Sequence, residues 1–210
     1  MAEVRRRVVA AGGDLERVRL VAVTKTFDLS LVRAAAAAGI TAVGENYVEE
    51  LEAKRRDAGD LELSWHYLGA LQSNKIARIV RVADIISGVS RAKEVLKIAA
   101  LRPGAVVDIQ VDLTGRANRN GASAAETPAL VDLAREAGLA VRGLMIVASP
   151  EPGAAREEFR RVDELAREVA VRERSMGMSD DFEIAVAEGS TEIRVGRVLF
   201  GPRTARATLA

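Results

Sequence analysis

Cysteine is absent from the 210-residue chain. That excludes disulfides, thiol nucleophiles and cysteine-ligated metals, and it fits a reducing compartment. Histidine occurs once, as His66. A zinc site draws on His and Cys, so no metal is expected. Charge of one sign is not in excess: 31 Lys and Arg face 30 Asp and Glu, a formal +1. Neither a nucleic-acid footprint nor a charged tail is expected. There is no run of about 20 apolar residues, so no membrane span is expected. The opening "MAEVRRRVVAAGGDLERV" holds no apolar core of signal-peptide length. These absences point to a cytoplasmic protein. Its length and ordinary apolar content suit one domain, residues 1–210, with a sizeable core.

What is present is alternation. Short β-branched runs lie at 18–24, 40–44, 65–69, 84–89, 105–112, 141–147, 175–178 and 192–196. Most are apolar on both faces, as expected for parallel strands covered by helices. The run "SMGM" at 175–178 carries the least β-propensity. Between them lie helix patterns with readable ends. Asp28 caps the helix closed by Gly39; a second runs from Glu45 to Gly59; others start at Ser73 and Ser90. Thr127 is read as a cap with Pro128 at the first helical position, a long charged amphipathic helix fills 151–174, and another runs from Ser179 to Gly189. With one leading helix, eight βα units in one domain predict a single (β/α)8 TIM-type barrel carrying an extra N-terminal helix. A doubly wound open sheet is the competing topology, but the GxGxxG turn that would favour it after the first strand is missing.

In such a barrel, chemistry sits at the C-terminal ends of the strands. Lys25 closes the first strand, in "LVAVTKTFDLS". A partly desolvated lysine there loses its charge more readily and becomes an amine able to attack a carbonyl; an inert snorkelling lysine is the plain alternative. Phosphate sites in barrels are often built after strands seven and eight. Here Ser179 stands at a helix start, Gly196 lets a ligand approach the backbone, and Arg194 and Arg197 bring positive charge. An aldehyde with a phosphate arm satisfies both ends. Pyridoxal 5′-phosphate fits, as does a phosphosugar in a lysine aldolase. Arg194, placed to meet a pyridine nitrogen, favours the former.

The segments "VAVTKT", "GENYVEE", "WHYLGALQSNK", "GLM" and "SMGMSDDFEIAVAEGSTEIRVGRVLFG" together resemble the pyridoxal phosphate homeostasis proteins of the YggS/PROSC type, in order and over nearly the whole chain. The resemblance implies a barrel similar to the N-terminal domain of alanine racemase. It implies that Lys25 holds pyridoxal phosphate as a Schiff base, that Ser179, Gly196 and the backbone N–H of Arg197 bind its phosphate, that Arg194 meets the ring nitrogen, and that Asn46 lies beside the cofactor. It implies buffering or delivery of the cofactor, with apo pyridoxal-phosphate enzymes as recipients, and a monomer, although a dimer is compatible.

Catalysis is not expected. Racemases of this kind use a tyrosine from an added C-terminal domain, and this sequence ends shortly after strand eight. Tyr47 and Tyr67 are the remaining tyrosines, and His66 reads as a half-buried, satisfied support of the barrel. A racemase-like enzyme is the alternative function. An aldolase would need a carboxylate at the barrel mouth, for which Asp108 and Asp112 are the available acids. The stretch with Gln72, Asn74 and Lys75 reads as a helix start, or as a surface for handing the cofactor over. Departures from the family pattern are Arg197 in place of a small hydroxyl residue, Arg174 opening strand seven, Arg119 in place of a lysine, and Gly88 and Ser90.

Overall fold

A computed structural model describes residues 1–116 and 119–202. After α1 (Ala2–Ala10) the chain alternates through β1 (Arg19–Val23), α2 (Leu29–Ala37), β2 (Ala42–Glu45), α3 (Val48–Asp57), β3 (Ser64–Tyr67), α4 (Ile76–Val82), β4 (Ile85–Val89) and α5 (Ala92–Leu101). It continues through β5 (Val106–Val111), α6 (Thr127–Glu136), β6 (Ala140–Ile146), α7 (Pro152–Glu168), β7 (Glu173–Ser175), α8 (Phe182–Ala187), β8 (Glu192–Val195) and α9 (Arg197–Phe200). The strands are parallel and close in sequence order, with β8 paired to β1 from Arg19↔Glu192 to Ala22↔Val195. This is the expected (β/α)8 barrel with its leading helix.

The apolar core lies between the barrel and its ring of helices. Ala22, Val43, Trp65, Ile86, Val107 and Leu144 pack outward against buried helix positions such as Leu51, Ile79, Val95, Val131 and Phe159. The leading helix closes the β8 side. Val4 and Val8 bury against Phe182, Val186, Ile193 and Val195, and Arg7 chelates Glu183 at 2.8 Å while lying 4.5 Å over the Phe182 ring.

The expectation of strands apolar on both faces is wrong on the inner side. His66, Ser87, Asp108, Arg142, Ser175, Glu192 and Arg194, from β3 to β8, meet inside the barrel, where most barrels place Val, Ile and Leu. Strand seven also moves. It spans Glu173–Ser175 rather than 175–178, because Gly177 takes φ +97° and turns the chain out of the sheet. A Cβ there would lie 2.7 Å from Ala185 Cβ and 2.9 Å from Phe182 Cα, so only glycine permits the turn.

Arg174, on that short strand, donates through Nε to Asp163 of α7 at 2.8 Å. Its charge is thereby accommodated at the junction between helix and strand. Four helix starts shift as well: α8 begins at Phe182 with Asp181 as its N-cap, so Ser179, expected at a helix start, lies in the loop after β7. Glu45 belongs to β2 and α3 begins at Val48; α4 and α5 begin at Ile76 and Ala92. Thr127 is already helical, its hydroxyl donating back to the Ser123 carbonyl at 2.8 Å instead of capping. Asp28 does cap α2, accepting from Ser30 N at 2.7 Å.

Candidate functional site

The C-terminal ends of the strands open into a cavity of about 740 Å³. Lys25, Asn46, Ser179, Arg194, Gly196 and Arg197 all line it. Six residues from four separate strand ends therefore converge on one space. A smaller cavity of about 260 Å³, between α1 and the opposite end of β1, contains none of them.

Lys25 lies just past β1, half-buried. The peptide units on each side of it are held by buried polar groups. Thr24 Oγ1 donates to Glu45 Oε1 at 2.6 Å, and the Thr24 carbonyl accepts from Lys54 Nζ at 2.7 Å. Thr26 N donates to Glu50 Oε2 at 2.7 Å. Asn46 follows β2. A Cβ on Gly69 would stand 2.2 Å from the Asn46 carbonyl oxygen, so the glycine after β3 lets Asn46 settle at the rim.

The opposite wall is made after β7 and β8. Ser179 Oγ accepts from Gly196 N and Val198 N, both at 3.4 Å. Bonds of that length use the two donors weakly, which leaves the start of α9 able to offer N–H groups to an anion. Gly196 has a second reason to be glycine: a Cβ would sit 2.9 Å from the Val23 carbonyl, where β8 meets β1 beside Lys25. The Arg197 side chain is engaged by Asp180, and both residues lie on the cavity lining. Asp181 folds back to accept from Met178 N at 2.5 Å. Both acids of "SDD" are thus engaged within their own loop and neighbours.

Arg194 is buried, with an edge on the cavity lining. It donates to the Ile146 carbonyl at 2.6 Å, to the Ser175 carbonyl, and to Ser175 Oγ at 2.9 Å. Burial works against its charge, and Glu192, Asp181 and Asp108 offset that cost. Below it the barrel interior carries an unbroken polar chain. Ser175 Oγ donates to Glu192 at 2.7 Å, and Arg142 bridges Glu192 (2.8 and 3.0 Å) to Asp108 (2.6 and 2.9 Å), which also accepts from Ser87 at 2.7 Å. Burial pushes the Glu192 carboxyl up, but the Arg142 guanidinium and the Ser175 hydroxyl bonded to it hold it below the ordinary carboxylate range. Burial pushes His66 down toward the neutral form. Arg142 is therefore the partner that keeps Glu192 charged.

His66 is not the half-buried, satisfied residue expected. It is fully buried, neither ring nitrogen has a hydrogen-bond partner, and Nδ1 lies 3.8 Å from Glu192 Oε1. Asp108 is committed to Arg142 and Ser87, and Asp112 accepts from Thr114 at 2.7 Å, so neither supplies an acid at the mouth. Tyr67 donates to the Ala70 carbonyl at 3.2 Å and is pushed up to about 12 by burial. Tyr47, half exposed, and Tyr67 are both absent from the cavity lining. Lys75 pairs with Glu49 at 3.2 Å, and Gln72 and Asn74 are exposed. Arg119 donates to the Val147 carbonyl at 2.8 Å on the cavity wall.

Sequence reasoning missed Lys54, Glu50 and the structural part of Glu45. The i,i+4 spacing of Glu50 and Lys54 was a visible signal of pairing. It also missed the interior chain, whose signal was a polar residue at alternate strand positions.

Residues 2–204 match the family described as alanine racemase, N-terminal domain. The pyridoxal phosphate homeostasis protein of Pseudomonas aeruginosa is 37% identical, over 96% of this chain and 92% of that one. The structure of PipY from Synechococcus elongatus without PLP superposes with a TM-score of 0.85 at 33% identity, covering 93% of this chain and 99% of that one. The structure of PipY with PLP bound superposes with a TM-score of 0.77 at 35% identity and the same coverage.

Proposed function

This chain belongs to the pyridoxal phosphate homeostasis proteins, within the alanine racemase N-terminal domain family, and on that premise we propose that it binds pyridoxal 5′-phosphate at the strand-end cavity and serves as a carrier of the cofactor. The observation that carries this reading is the convergence of Lys25, Asn46, Ser179, Arg194, Gly196 and Arg197 on one cavity. Its volume lies within the roughly 300–1,000 Å³ typical of cofactor pockets. When bound, the cofactor supplies an aldehyde that condenses with amines and a ring that withdraws electrons.

The residues divide that work. Lys25 offers the amine for a Schiff base; it is the lysine of the lining among the described residues. Ser179 and the backbone N–H groups of Gly196 and Arg197 suit a phosphate. Arg194 would meet the ring nitrogen through N–H groups not taken by Ser175 and Ile146; a guanidinium has no lone pair to accept a proton, so that nitrogen would stay unprotonated and the ring would withdraw electrons less.

Buffering and delivery, rather than turnover, is supported by the lining itself. Its titratable groups among the described residues are Lys25, four arginines, Asp180 and Asp181, with both acids already engaged. A second proton-transfer group across from Lys25, which racemisation needs, is not among them. Recipients in this reading are apo enzymes that use the cofactor, met in the cytoplasm; among the described residues no helix is long and apolar enough to cross a membrane.

The test is an absorbance titration with pyridoxal 5′-phosphate, then borohydride reduction and peptide mass mapping. A band that reduces to a pyridoxyl adduct on Lys25, lost in Lys25→Ala, supports binding; no adduct there refutes it. Exchange of an amino acid's α-hydrogen with deuterated solvent, dependent on Lys25, would replace the carrier with a racemase-like enzyme.

A further inference from the structure

Thr26 is a β-branched residue at φ +68°, in the left-handed region that such side chains avoid. Its hydroxyl is buried without a hydrogen-bond partner. Two unfavourable features at one residue persist only where the surroundings impose them, and here the surroundings are charged. Glu50 accepts the Thr26 N–H at 2.7 Å. Lys54, one turn further along α3 and buried, reaches Glu50 Oε2 at 3.3 Å, Glu45 Oε1 at 2.7 Å and the Thr24 carbonyl at 2.7 Å. Glu45 Oε1 takes the Thr24 hydroxyl at 2.6 Å. Three buried or nearly buried ionic groups thus close on the main chain before and after Lys25. Ionic groups in such a place are costly, and hydrophobic replacements of similar size often serve stability as well or better.

We propose that Glu45, Glu50 and Lys54 form a positioning cluster for Lys25. They hold residues 24–26 in the left-handed turn that directs the lysine into the cavity. The proposal rests on the reading of Lys25 as the cofactor-bearing lysine. In its absence Thr26 relaxes to negative φ, and the Lys25 backbone rotates with it. A misplacement of about 1 Å at a reacting group is enough to lower a rate about a hundredfold.

The experiment measures two things on the full chain. One is the share of borohydride-trapped pyridoxal 5′-phosphate found on Lys25 relative to the other lysines. The other is amide hydrogen exchange at Thr26 in protein without cofactor. Glu50→Ala should lower Lys25 labelling by about tenfold or more, leave the other lysines unchanged, and speed Thr26 exchange. Glu50→Gln keeps an acceptor oxygen and should retain most of the labelling. The double variant Glu50→Ala/Thr26→Gly should recover much of the loss, because glycine adopts φ +68° without strain. Lys54→Met should behave as Glu50→Ala where it folds, as checked by circular dichroism; where it does not fold, the Glu50 and Thr26 variants decide. Wild-type-like labelling in a folded Glu50→Ala protein overturns the proposal, as does a double variant no better than the single one. Failure of the functional reading looks different: wild-type protein then carries no adduct on Lys25 at all.

Discussion

Arg142 neutralises two carboxylates at once, and Arg142→Met should destabilise the protein more than any surface change. Asp108 and Glu192 are both fully buried, and Arg142 makes two hydrogen bonds to each. Removing one partner of a buried ion pair costs about 3–5 kcal/mol, chiefly because the other charge is left uncompensated. For a chain of this size that is roughly 6–20 °C in melting temperature, at about 2–4 °C per kcal/mol. The pH dependence gives the reasoning its sharper edge. In the wild-type protein Glu192 is held below its ordinary range. The stability it contributes is complete above the unfolded carboxylate value and is lost as pH falls toward the folded one. In Arg142→Met, burial without the guanidinium raises the Glu192 carboxyl. The folded state then takes protons more readily than the unfolded state, so the penalty is largest near pH 7 and shrinks on acidification. Urea unfolding followed by circular dichroism at pH 7.5 and pH 5 should show two stability curves drawing together as pH falls. The triple variant Arg142→Met/Asp108→Asn/Glu192→Gln should recover much of the loss. A penalty under about 1 kcal/mol at pH 7.5, or one equal at both pH values, would refute the account of this interior.

Three further outcomes follow from the same geometry. Gly69→Ala places a Cβ 2.2 Å from the Asn46 carbonyl oxygen; the rim must shift, costing about 1–3 kcal/mol and weakening cofactor binding in an absorbance titration. Arg197→Ser should leave stability within about 0.5 kcal/mol and change cofactor affinity by less than about tenfold, because the guanidinium already faces Asp180; a larger loss would mean that the side chain itself grips the phosphate. Burial depresses His66, so the stability it contributes is present above about pH 6.5 and is lost as pH falls below that value. His66→Leu should remove up to about 2 kcal/mol of the decline between pH 6.5 and pH 5, read by urea unfolding at each pH.

The fold was legible because its signals are local and repeated. β-branched runs bounded by Asp28 caps and terminal glycines recur with βα spacing, and eight repeats in one domain leave few topologies. The cavity was legible for a related reason: in a barrel, a residue's position at a strand end already places it at the mouth. Lys25, Asn46, Ser179 and Gly196 needed only the strand boundaries to be brought together. Strand seven was misplaced because "SMGM" has the apolar look of a strand, whereas Gly177 needs a backbone angle that no strand supplies. Glu45 was read as a helix start because an acid before a helical pattern suits one. That it ends β2 and is tied to Thr24 and Lys54 is tertiary.

The polar interior was the least legible part, and it explains how the strand ends are held. Arg194 takes its orientation from Ser175 and the Ile146 carbonyl; Ser175 is fixed by Glu192, and Glu192 by Arg142. The links run back and forth among β6, β7 and β8, so the position of one guanidinium at the mouth depends on residues two strands away. Lys25 is held by a separate cluster on β2 and α3. The two halves of the site are therefore anchored independently. A change at Arg142 should disturb Arg194 while leaving Lys25 labelling intact, and a change at Glu50 should do the reverse. Protein that binds the phosphate and ring but fails to fix the aldehyde, set against protein that fixes it with altered absorbance, would separate the two anchors.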